Sequence, residues 1–346
     1  MKIDHVHFYV EDAKIWRDWF VHHLGFTAVD SSISSVHTCT EVVSNGIVCF
    51  LLSSALLPTS PVTAFLCQHP PGVADVAFVM EDVEGAIALA KIHGATVIQP
   101  MQLKQFGNVF RRCGKIAAWG GLSHTLIESS GMTTDDAPQT TDHTFSGIDH
   151  IVLNVAVGEL DSAVAWYEKI LNFQPQQSFK IQTDRSALYS QVMVSRNGGV
   201  QLPINEPASP NSQIQEFLDV NRGSGIQHIA LGTPNLISAI AQFRARGLSL
   251  LSVPQTYYTQ IQQRPGFPLS VLELEAIAQQ EILVDWKENA EDAVLLQIFT
   301  QPIFGQPTFF FEFIERRYQA KGFGEGNFRA LFEAIESEQI KRGTLQ

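Results

Sequence analysis

Hydrophobic and polar positions along the chain follow one pattern that occurs four times. Each copy begins with a short strand pattern, continues with a helix that has one apolar face, and ends in several further strand patterns. The first and third copies start with IDHV at 3–6 and IDHI at 148–151, and the second and fourth start with GVADVAF at 72–78 and GIQHIAL at 225–231. A repeat of this length indicates an internal duplication.

The spacing of the second pair supports this interpretation. Asp75 and His228 are 153 residues apart, and the same distance separates Gly94 and Gly247, which end the helices that follow. Glycine is the preferred residue where a helix ends in left-handed backbone. We therefore expect two halves of two units each, which share one fold.

The boundary between the halves lies in a polar stretch. Residues 129–146 are rich in Ser, Thr, Asp and Gly and contain one Pro, as is typical of a surface linker. We therefore predict an N-terminal domain at 1–130, a linker at 131–146 and a C-terminal domain at 147–346.

Composition and charge restrict the functions that this chain can have. With 45% hydrophobic and 17% charged residues, we expect a globular protein with a large core. A net charge of −12 argues against nucleic acid or an anionic membrane as a partner. The first residues show no signal-peptide pattern, no apolar run is long enough to span a bilayer, and the four cysteines form no CxxC pair. These features predict a cytoplasmic protein with reduced thiols.

One carboxylate lies in a strongly apolar strand pattern. The segment TFFFEFI at 308–314 is typical of a strand with both faces buried, and it contains Glu312. An ionised carboxylate in such a place is costly unless a cation pairs with it, and the nearest cationic side chains, Arg316 and Arg317, lie beyond the run. Glu312 is therefore either protonated or directed into a site that holds a cation.

Two histidines at equivalent positions of the repeat complete a candidate metal site. His150 and His228 are 78 residues apart, and Glu312 follows 84 residues later. These gaps are too long for a zinc finger or a one-helix metal motif, but they suit ligands on separate strands. Two imidazoles and a carboxylate can occupy one face of an octahedral Fe(II) ion and leave three positions open. A single histidine in a strand is usually a hydrogen-bonded core residue, but the equivalent positions and the isolated carboxylate favour a metal site.

The N-terminal half offers a different set at the corresponding places. Its candidates are His5, Asp75 and, near the end of the matching strand, Glu128. Since an aspartate replaces the second histidine, only one imidazole remains. We expect this half to keep the fold without a working metal site.

Several motifs of the second half occur in an order that matches a known enzyme family. They are IDH at 148–150, LPINEP at 202–207, SQIQ at 212–215, GIQHIA at 225–230, LQIFT at 296–300, the strand around Glu312, and GFGEGNF at 322–328. With these motifs the chain resembles the 4-hydroxyphenylpyruvate dioxygenase family of the vicinal oxygen chelate superfamily, strongly over 147–341 and mainly in architecture over 1–130. The resemblance implies an α+β fold in which four βαβββ-type units form two open, barrel-like sheets, followed by a C-terminal helix.

The resemblance also implies an activity and a set of site residues. It implies a non-haem Fe(II) enzyme, with His150, His228 and Glu312 as metal ligands, that converts 4-hydroxyphenylpyruvate and O2 to homogentisate and CO2. The product would serve tyrosine catabolism or prenylquinone and tocopherol biosynthesis, and we expect a homo-oligomer, a dimer or tetramer. Catalytic roles are implied for Gln227, Gln297, Asn205 and Ser190. Substrate-binding roles are implied for Gln213, Pro203, Phe299, Phe310, Phe323, Asn327 and Phe328.

A glycine-rich segment precedes the last helical pattern of the chain. Three glycines at 322–326 lead into a pattern that runs from Asn327 to about Arg342. A flexible entry to a helix with one apolar face predicts a C-terminal lid that excludes water from the iron when substrate binds. A helix packed permanently in place is the alternative.

Two other functions fit parts of the same pattern. 4-Hydroxymandelate synthase uses the same metal and substrate but hydroxylates the benzylic carbon, so the metal ligands do not separate it from the dioxygenase. Pro203 and Phe299 favour the dioxygenase. A non-catalytic small-molecule-binding protein on the same fold would need neither three metal ligands on buried strands nor a hinged lid.

Overall fold

Each half of the chain forms an eight-stranded sheet. The computed structural model describes residues 1–30, 34–106, 109–129, 143–182, 186–287 and 293–327, and then 330, 334–336, 339–340 and 342–343.

The first half consists of the eight strands of its sheet and three helices that connect some of them. The strands are β1 (Lys2–Tyr9), β2 (Thr27–Val29), β3 (Thr38–Asn45), β4 (Val48–Ala55), β5 (Gly72–Met80), β6 (Val97–Phe106), β7 (Val109–Ala117) and β8 (Ser123–Glu128). The helices are α1 (Ala13–Leu24), α2 (Pro61–Gln68) and α3 (Val83–Ile92). The strand order is β2-β3-β4-β1-β5-β8-β7-β6.

The second half repeats this arrangement. Its strands are β9 (Gly147–Asn154), β10 (Phe173–Gln182), β11 (Ala187–Ser195), β12 (Gln201–Pro207), β13 (Gly225–Gly232), β14 (Leu283–Trp286), β15 (Val294–Phe299) and β16 (Phe310–Arg316). Its helices are α4 (Leu160–Leu171), α5 (Gln213–Asn221), α6 (Leu236–Ala245), α7 (Gln255–Ile261) and α8 (Val271–Gln279). The order β10-β11-β12-β9-β13-β16-β15-β14 is that of the first sheet with every strand replaced by its repeat. The predicted duplication and the α+β fold with two sheets are therefore confirmed.

In each half, the helix of the second unit ends where the sequence predicts. Gly94 follows α3 with a φ of 78°, and Gly247 follows α6 with a φ of 77°. A side chain would strain this left-handed backbone, so glycine is favoured at both ends.

The fourth unit differs from the second by an insertion. In the first half, α3 is followed directly by β6. In the second half, two further helices, α7 and α8, lie between α6 and β14. Tyr257 and Tyr258 of α7 are buried against the rest of this half. The insertion therefore packs onto the second sheet instead of extending into solvent.

The two sheets share one hydrophobic core. The ring of Phe8 in β1 lies 5.1 Å from that of Phe309 and 6.5 Å from that of Phe311, between centroids. Phe50 in β4 lies 5.8 Å from Phe311. Alternate side chains of one strand point to opposite faces, so these odd-numbered phenylalanines face the first half. Phe310 and Glu312 consequently face the interior of the second sheet.

The predicted linker at 131–146 is described only from residue 143 onward. Phe145, within this stretch, is buried and stacks on Phe313 at 6.0 Å with an angle of 10° between the rings. The end of the stretch is therefore an anchor in the core and not a surface linker, because an aromatic ring next to an apolar strand is more stable when buried. Over the described residues, every helix is too short or too polar to cross a bilayer.

Candidate active site

Three neighbouring strands bring His150, His228 and Glu312 together. In the pairing register, Ala230 of β13 lies opposite His150 of β9 on one side and opposite Glu312 of β16 on the other. His228 lies two residues before Ala230 on the same strand. Because side chains two residues apart share a face, all three project from the same side of the sheet.

The distances between the three side chains fit a metal ion. Glu312 Oε2 lies 3.2 Å from His150 Nε2 and 3.6 Å from His228 Nε2. One candidate ligand atom from each residue lies within 4.8 Å of the others. Bonds of about 2.1 Å at right angles to one metal ion would place ligand atoms about 3 Å apart. Two imidazoles and a carboxylate that are already this close therefore form a suitable donor set for a divalent metal.

Neighbouring side chains hold each of the three in place. Gln297 Nε2 donates to Glu312 Oε1 at 2.8 Å. His150 Nδ1 lies 2.9 Å from Asp149 Oδ1. The ring of His228 instead stacks on Phe310 at 4.8 Å with an angle of 17°, and its Nδ1 has no hydrogen-bond partner among the described residues.

The charges of the site favour one cation next to Glu312. Burial lowers the pKa of His150, but the charges and hydrogen bonds of Glu312 and Asp149 outweigh burial and raise that pKa to about 9. Burial, together with the charge on His150, holds the pKa of His228 well below its ordinary value. The site thus favours one positive charge that pairs with Glu312. Either a proton on His150 or a metal ion supplies this charge.

The triad lies on the wall of a cavity on the inner face of the second sheet; the empty space of this cavity, including the part that is open to solvent, is about 690 Å³. All the described residues that the sequence analysis assigned to the site line this cavity. They are His150, His228, Glu312, Ser190, Pro203, Asn205, Gln213, Gln227, Gln297, Phe299, Phe310, Phe323 and Asn327. Phe328 lies outside the described residues.

Sequence reasoning missed the apolar wall of the cavity. This wall is formed by Val152, Phe179, Ile181, Leu188 and Val192. Such residues alternate along β9, β10 and β11 like any core residues, so the sequence contains no signal that separates a cavity wall from a packed core.

The amide of Gln297 is fully used by its neighbours. Its Nε2 donates to Glu312 and also lies 3.1 Å from Phe323 O, and its Oε1 accepts from Asn327 Nδ2 at 3.0 Å. In this geometry Gln297 contributes by holding the carboxylate of Glu312. Gln213 and Gln227 line the cavity as well, and Asn205 Nδ2 donates to Asn154 Oδ1 at 3.4 Å.

Among its described residues, the N-terminal half holds no equivalent triad. The strand register equates Asp75 with His228 and Thr125, not Glu128, with Glu312. The prediction that placed Glu128 in this set is wrong, because Glu128 lies three residues further along β8 and corresponds to Glu315. Asp75 accepts hydrogen bonds from Ser123 Oγ and Thr125 Oγ1, each at 2.8 Å.

A lysine supplies the cation in this half. Lys115 Nζ lies 3.4 Å from Asp75 Oδ1, and Lys115 stands at the place that Phe299 has in the second half. Burial raises the pKa of Asp75, but Lys115 and the two hydroxyls outweigh burial and lower it below its ordinary value. The internal ion pair thus replaces a metal site.

The C-terminal segment lies next to the cavity. Described residues between 330 and 342 have helical backbone, in agreement with the predicted helix. Ser186 Oγ donates to Glu336 Oε1 at 2.7 Å, and Arg342 Nη2 lies 2.9 Å from Glu216 Oε2. These contacts hold the helix against β11 and α5 in the position that the structure records.

Comparisons with known proteins agree with this geometry. The family model for the Glyoxalase/Bleomycin resistance protein/Dioxygenase superfamily matches residues 147–263, within the half that carries the triad. The chain is 38% identical to 4-hydroxyphenylpyruvate dioxygenase from Caenorhabditis elegans over 99% of this chain and 93% of that protein. It is also 38% identical to the protein of that name from Coccidioides posadasii, over 99% and 94%.

A solved structure extends the agreement to the whole fold. A mutant of 4-hydroxymandelate synthase from Streptomyces coelicolor superposes with a TM-score of 0.86 at 25% identity, over 98% of both chains. Similarity of this extent covers both sheets. The chain therefore belongs to the 4-hydroxyphenylpyruvate dioxygenase family of the vicinal oxygen chelate superfamily.

Proposed function

We propose that this chain binds Fe(II) through His150, His228 and Glu312 and converts 4-hydroxyphenylpyruvate and O2 to homogentisate and CO2. The observation that carries the proposal is the convergence of three metal-binding side chains on the wall of a largely apolar cavity. Similarity to 4-hydroxyphenylpyruvate dioxygenases over 99% of the chain supports it.

The charges around the cavity favour a substrate that binds through the metal. None of the described residues that line it is a Lys or Arg, and Glu312 is the one acidic residue among them. The carboxylate of a 2-oxo acid therefore has no protein cation to pair with in this cavity. Two neutral imidazoles and one carboxylate leave one positive charge on a divalent ion, which attracts such an anion.

When bound, Fe(II) supplies the chelation of the 2-oxo acid and the activation of O2 that decarboxylation and ring hydroxylation require. The chain's own residues hold the substrate and keep out water. We propose that Asn205, Gln213, Gln227 and Ser190 orient the phenol and the keto acid, because neutral donors and acceptors do so without adding charge.

Aromatic side chains complete the proposed substrate site. Phe299, Phe310 and Phe323 line the cavity, and the rings of Phe299 and Phe310 lie 6.2 Å apart at an angle of 75°. Edge and face contacts of this kind restrain an aromatic ring. We propose that Phe323 and the helix after it act as a lid that limits the access of water to the reacting atoms.

Product identification tests the proposed activity. Purified protein is loaded with Fe(II) without oxygen, mixed with 4-hydroxyphenylpyruvate, and then exposed to O2 while oxygen uptake is recorded. We expect uptake to match substrate consumption and chromatography to identify homogentisate. Formation of 4-hydroxymandelate would instead establish 4-hydroxymandelate synthase activity, the second candidate, which is considered because the chain superposes on a 4-hydroxymandelate synthase. A protein that binds no iron and consumes no oxygen would contradict both.

The biological setting stays a prediction. We propose that the enzyme acts in the cytoplasm as a homo-oligomer, and that homogentisate enters tyrosine breakdown or the synthesis of prenylquinones and tocopherol. We likewise propose the division into domains at 1–130 and 147–346, which follows the duplication; the two domains pack against each other through one shared core.

A further inference from the structure

A partly buried ion pair lies directly behind one candidate metal ligand. Arg316 Nε lies 2.6 Å from Asp149 Oδ2, and Arg316 Nη2 lies 2.7 Å from Asp149 Oδ1. The same Asp149 Oδ1 lies 2.9 Å from His150 Nδ1. Arg316 holds Asp149 as an ionised acceptor, so Nδ1 of His150 must carry a proton as the donor. When a metal ion replaces the second proton of the ring, the lone pair of Nε2 is directed to that ion.

The remaining guanidinium nitrogen of Arg316 reaches the cavity wall. Arg316 Nη1 donates to Ala320 O at 3.0 Å and to Gly322 O at 2.8 Å. The next residue, Phe323, meets the ring of His150 edge-on at 5.2 Å. One side chain thus contacts both the support of a metal ligand and residues 320–327, which we call the wall segment.

The two halves of the chain provide an internal comparison. In the first half, Asp4 Oδ2 lies 2.8 Å from His5 Nδ1, just as Asp149 supports His150. The strand register, however, places Ser129 where the second half has Arg316. The aspartate belongs to the shared fold, whereas an arginine at this place of the strand occurs only in the half that has the candidate metal triad; in the first half the charge of Arg111, on a different strand, acts on Asp4.

We propose that Arg316 and Asp149 are positioning residues that couple the orientation of His150 to the ordered position of the wall segment, so that metal binding and ordering of this wall stabilise each other. The inference rests on the metal site of the proposed function. Thermodynamic linkage makes the coupling reciprocal: metal must order the wall segment, and loosening the wall must weaken metal binding.

Metal titration and hydrogen exchange test the two sides of this coupling. Co(II), which is stable in air, is titrated into wild type, Arg316→Gln and Asp149→Asn by calorimetry, and amide exchange over the wall segment, residues 320–327, is recorded with and without metal. In wild type we expect metal to slow exchange in the wall segment. Both variants should bind metal about 10- to 100-fold more weakly. In both variants, metal should no longer protect the wall segment.

Matched variants separate coupling from general damage. Asp4→Asn removes the equivalent aspartate of the first half, and Arg317→Gln removes a neighbouring arginine that pairs with Glu315 and Glu273. Both should bind Co(II) like wild type. Arg316→Lys keeps the charge but not the fork of nitrogens, so we expect a smaller loss than for Arg316→Gln. If Arg316→Gln does not fold, Arg316→Lys replaces it in the experiment.

The outcomes distinguish this inference from the proposed function. Wild-type metal affinity in Arg316→Gln and Asp149→Asn, or exchange in the wall segment that metal leaves unchanged, would overturn the coupling while the metal site stands. Wild-type protein that binds neither Co(II) nor Fe(II) would overturn the metal site itself.

Discussion

Glu312 shows at the scale of one residue how a carboxylate can be placed in a phenylalanine strand. Phe311 and Phe313 point into the core between the halves, while Glu312 points to the opposite face. There it meets His150, His228 and the amide of Gln297. A buried carboxylate is costly only if nothing pairs with it. Because side chains alternate between the two faces of a strand, Glu312 lies on the face where these partners are.

Removal of this carboxylate should abolish metal binding and turnover. In Glu312→Ala, two imidazoles remain to hold the ion, and we expect metal affinity to fall by more than about 100-fold. Oxygen uptake with 4-hydroxyphenylpyruvate should be undetectable. His5→Ala changes the equivalent residue of His150 in the first half and should leave both quantities nearly intact. Similar losses in the two variants would contradict the assignment of the active half.

At the scale of elements, the inserted helix α7 supports the proposed metal site from behind. The hydroxyl of Tyr257 lies 2.8 Å from Asn327 Oδ1 and accepts a hydrogen bond from the Val284 N–H at 2.8 Å. Asn327 in turn donates to Gln297, and Gln297 donates to Glu312. The insertion thus reaches Glu312, the proposed metal ligand, through two amides.

Loss of the Tyr257 hydroxyl should therefore affect function as well as stability. In Tyr257→Phe, three polar groups (Asn327 Oδ1 and the N–H and C=O of Val284) lose a partner, which should lower the free energy of unfolding by about 1–3 kcal/mol. Because Asn327 is released, we also expect lower kcat and weaker metal binding. Tyr258→Phe is the matched control, since its hydroxyl donates to Ile282 O at 3.1 Å and does not contact this chain of amides. It should lower stability only, and equal kcat losses in both would refute the connection.

At the scale of the whole molecule, buried polar contacts join the two halves in addition to the shared aromatic core. His124 of β8 places Nδ1 3.0 Å from Val76 O and Nε2 3.1 Å from the hydroxyl of Tyr167 in α4. Burial lowers the pKa of His124 from 6.5 to about 4. Burial likewise lowers the pKa of His7 to about 3.

These histidines predict how stability depends on pH. In the unfolded chain each binds a proton near pH 6.5, whereas in the folded protein His124 stays neutral until about pH 4. The unfolded state therefore binds more protons between these values, so the contribution of these two histidines to stability is complete above about pH 6.5 and falls as the pH decreases. For His124 the loss is on the order of 3 kcal/mol when complete. Urea unfolding between pH 7 and 4.5 should show a shallower dependence in His124→Gln; an unchanged slope would exclude His124 as a source.

The extent to which the sequence predicts this protein depends on the range of the interactions involved. The repeat of IDHV as IDHI and the spacing of Gly94 and Gly247 predict the duplication, because strand and helix periodicity is local. The histidines at equivalent repeat positions and the isolated Glu312 predict a metal site. The resemblance in motifs implies the polar residues that line the cavity.

Other features depend on how distant strands pair. The sequence by itself does not show whether Glu128 or Thr125 occupies the position in the first half that is equivalent to Glu312. The register of a strand is set by hydrogen bonds to its neighbours and not by the order of apolar residues along it. The contacts of Arg316 with Asp149 and of Tyr257 with Asn327 join residues far apart in the chain. The sequence thus determined the four units, the duplication and the candidate ligands. Only the tertiary structure decided which face each side chain occupies and which residues support the site from behind, since these follow from long-range packing.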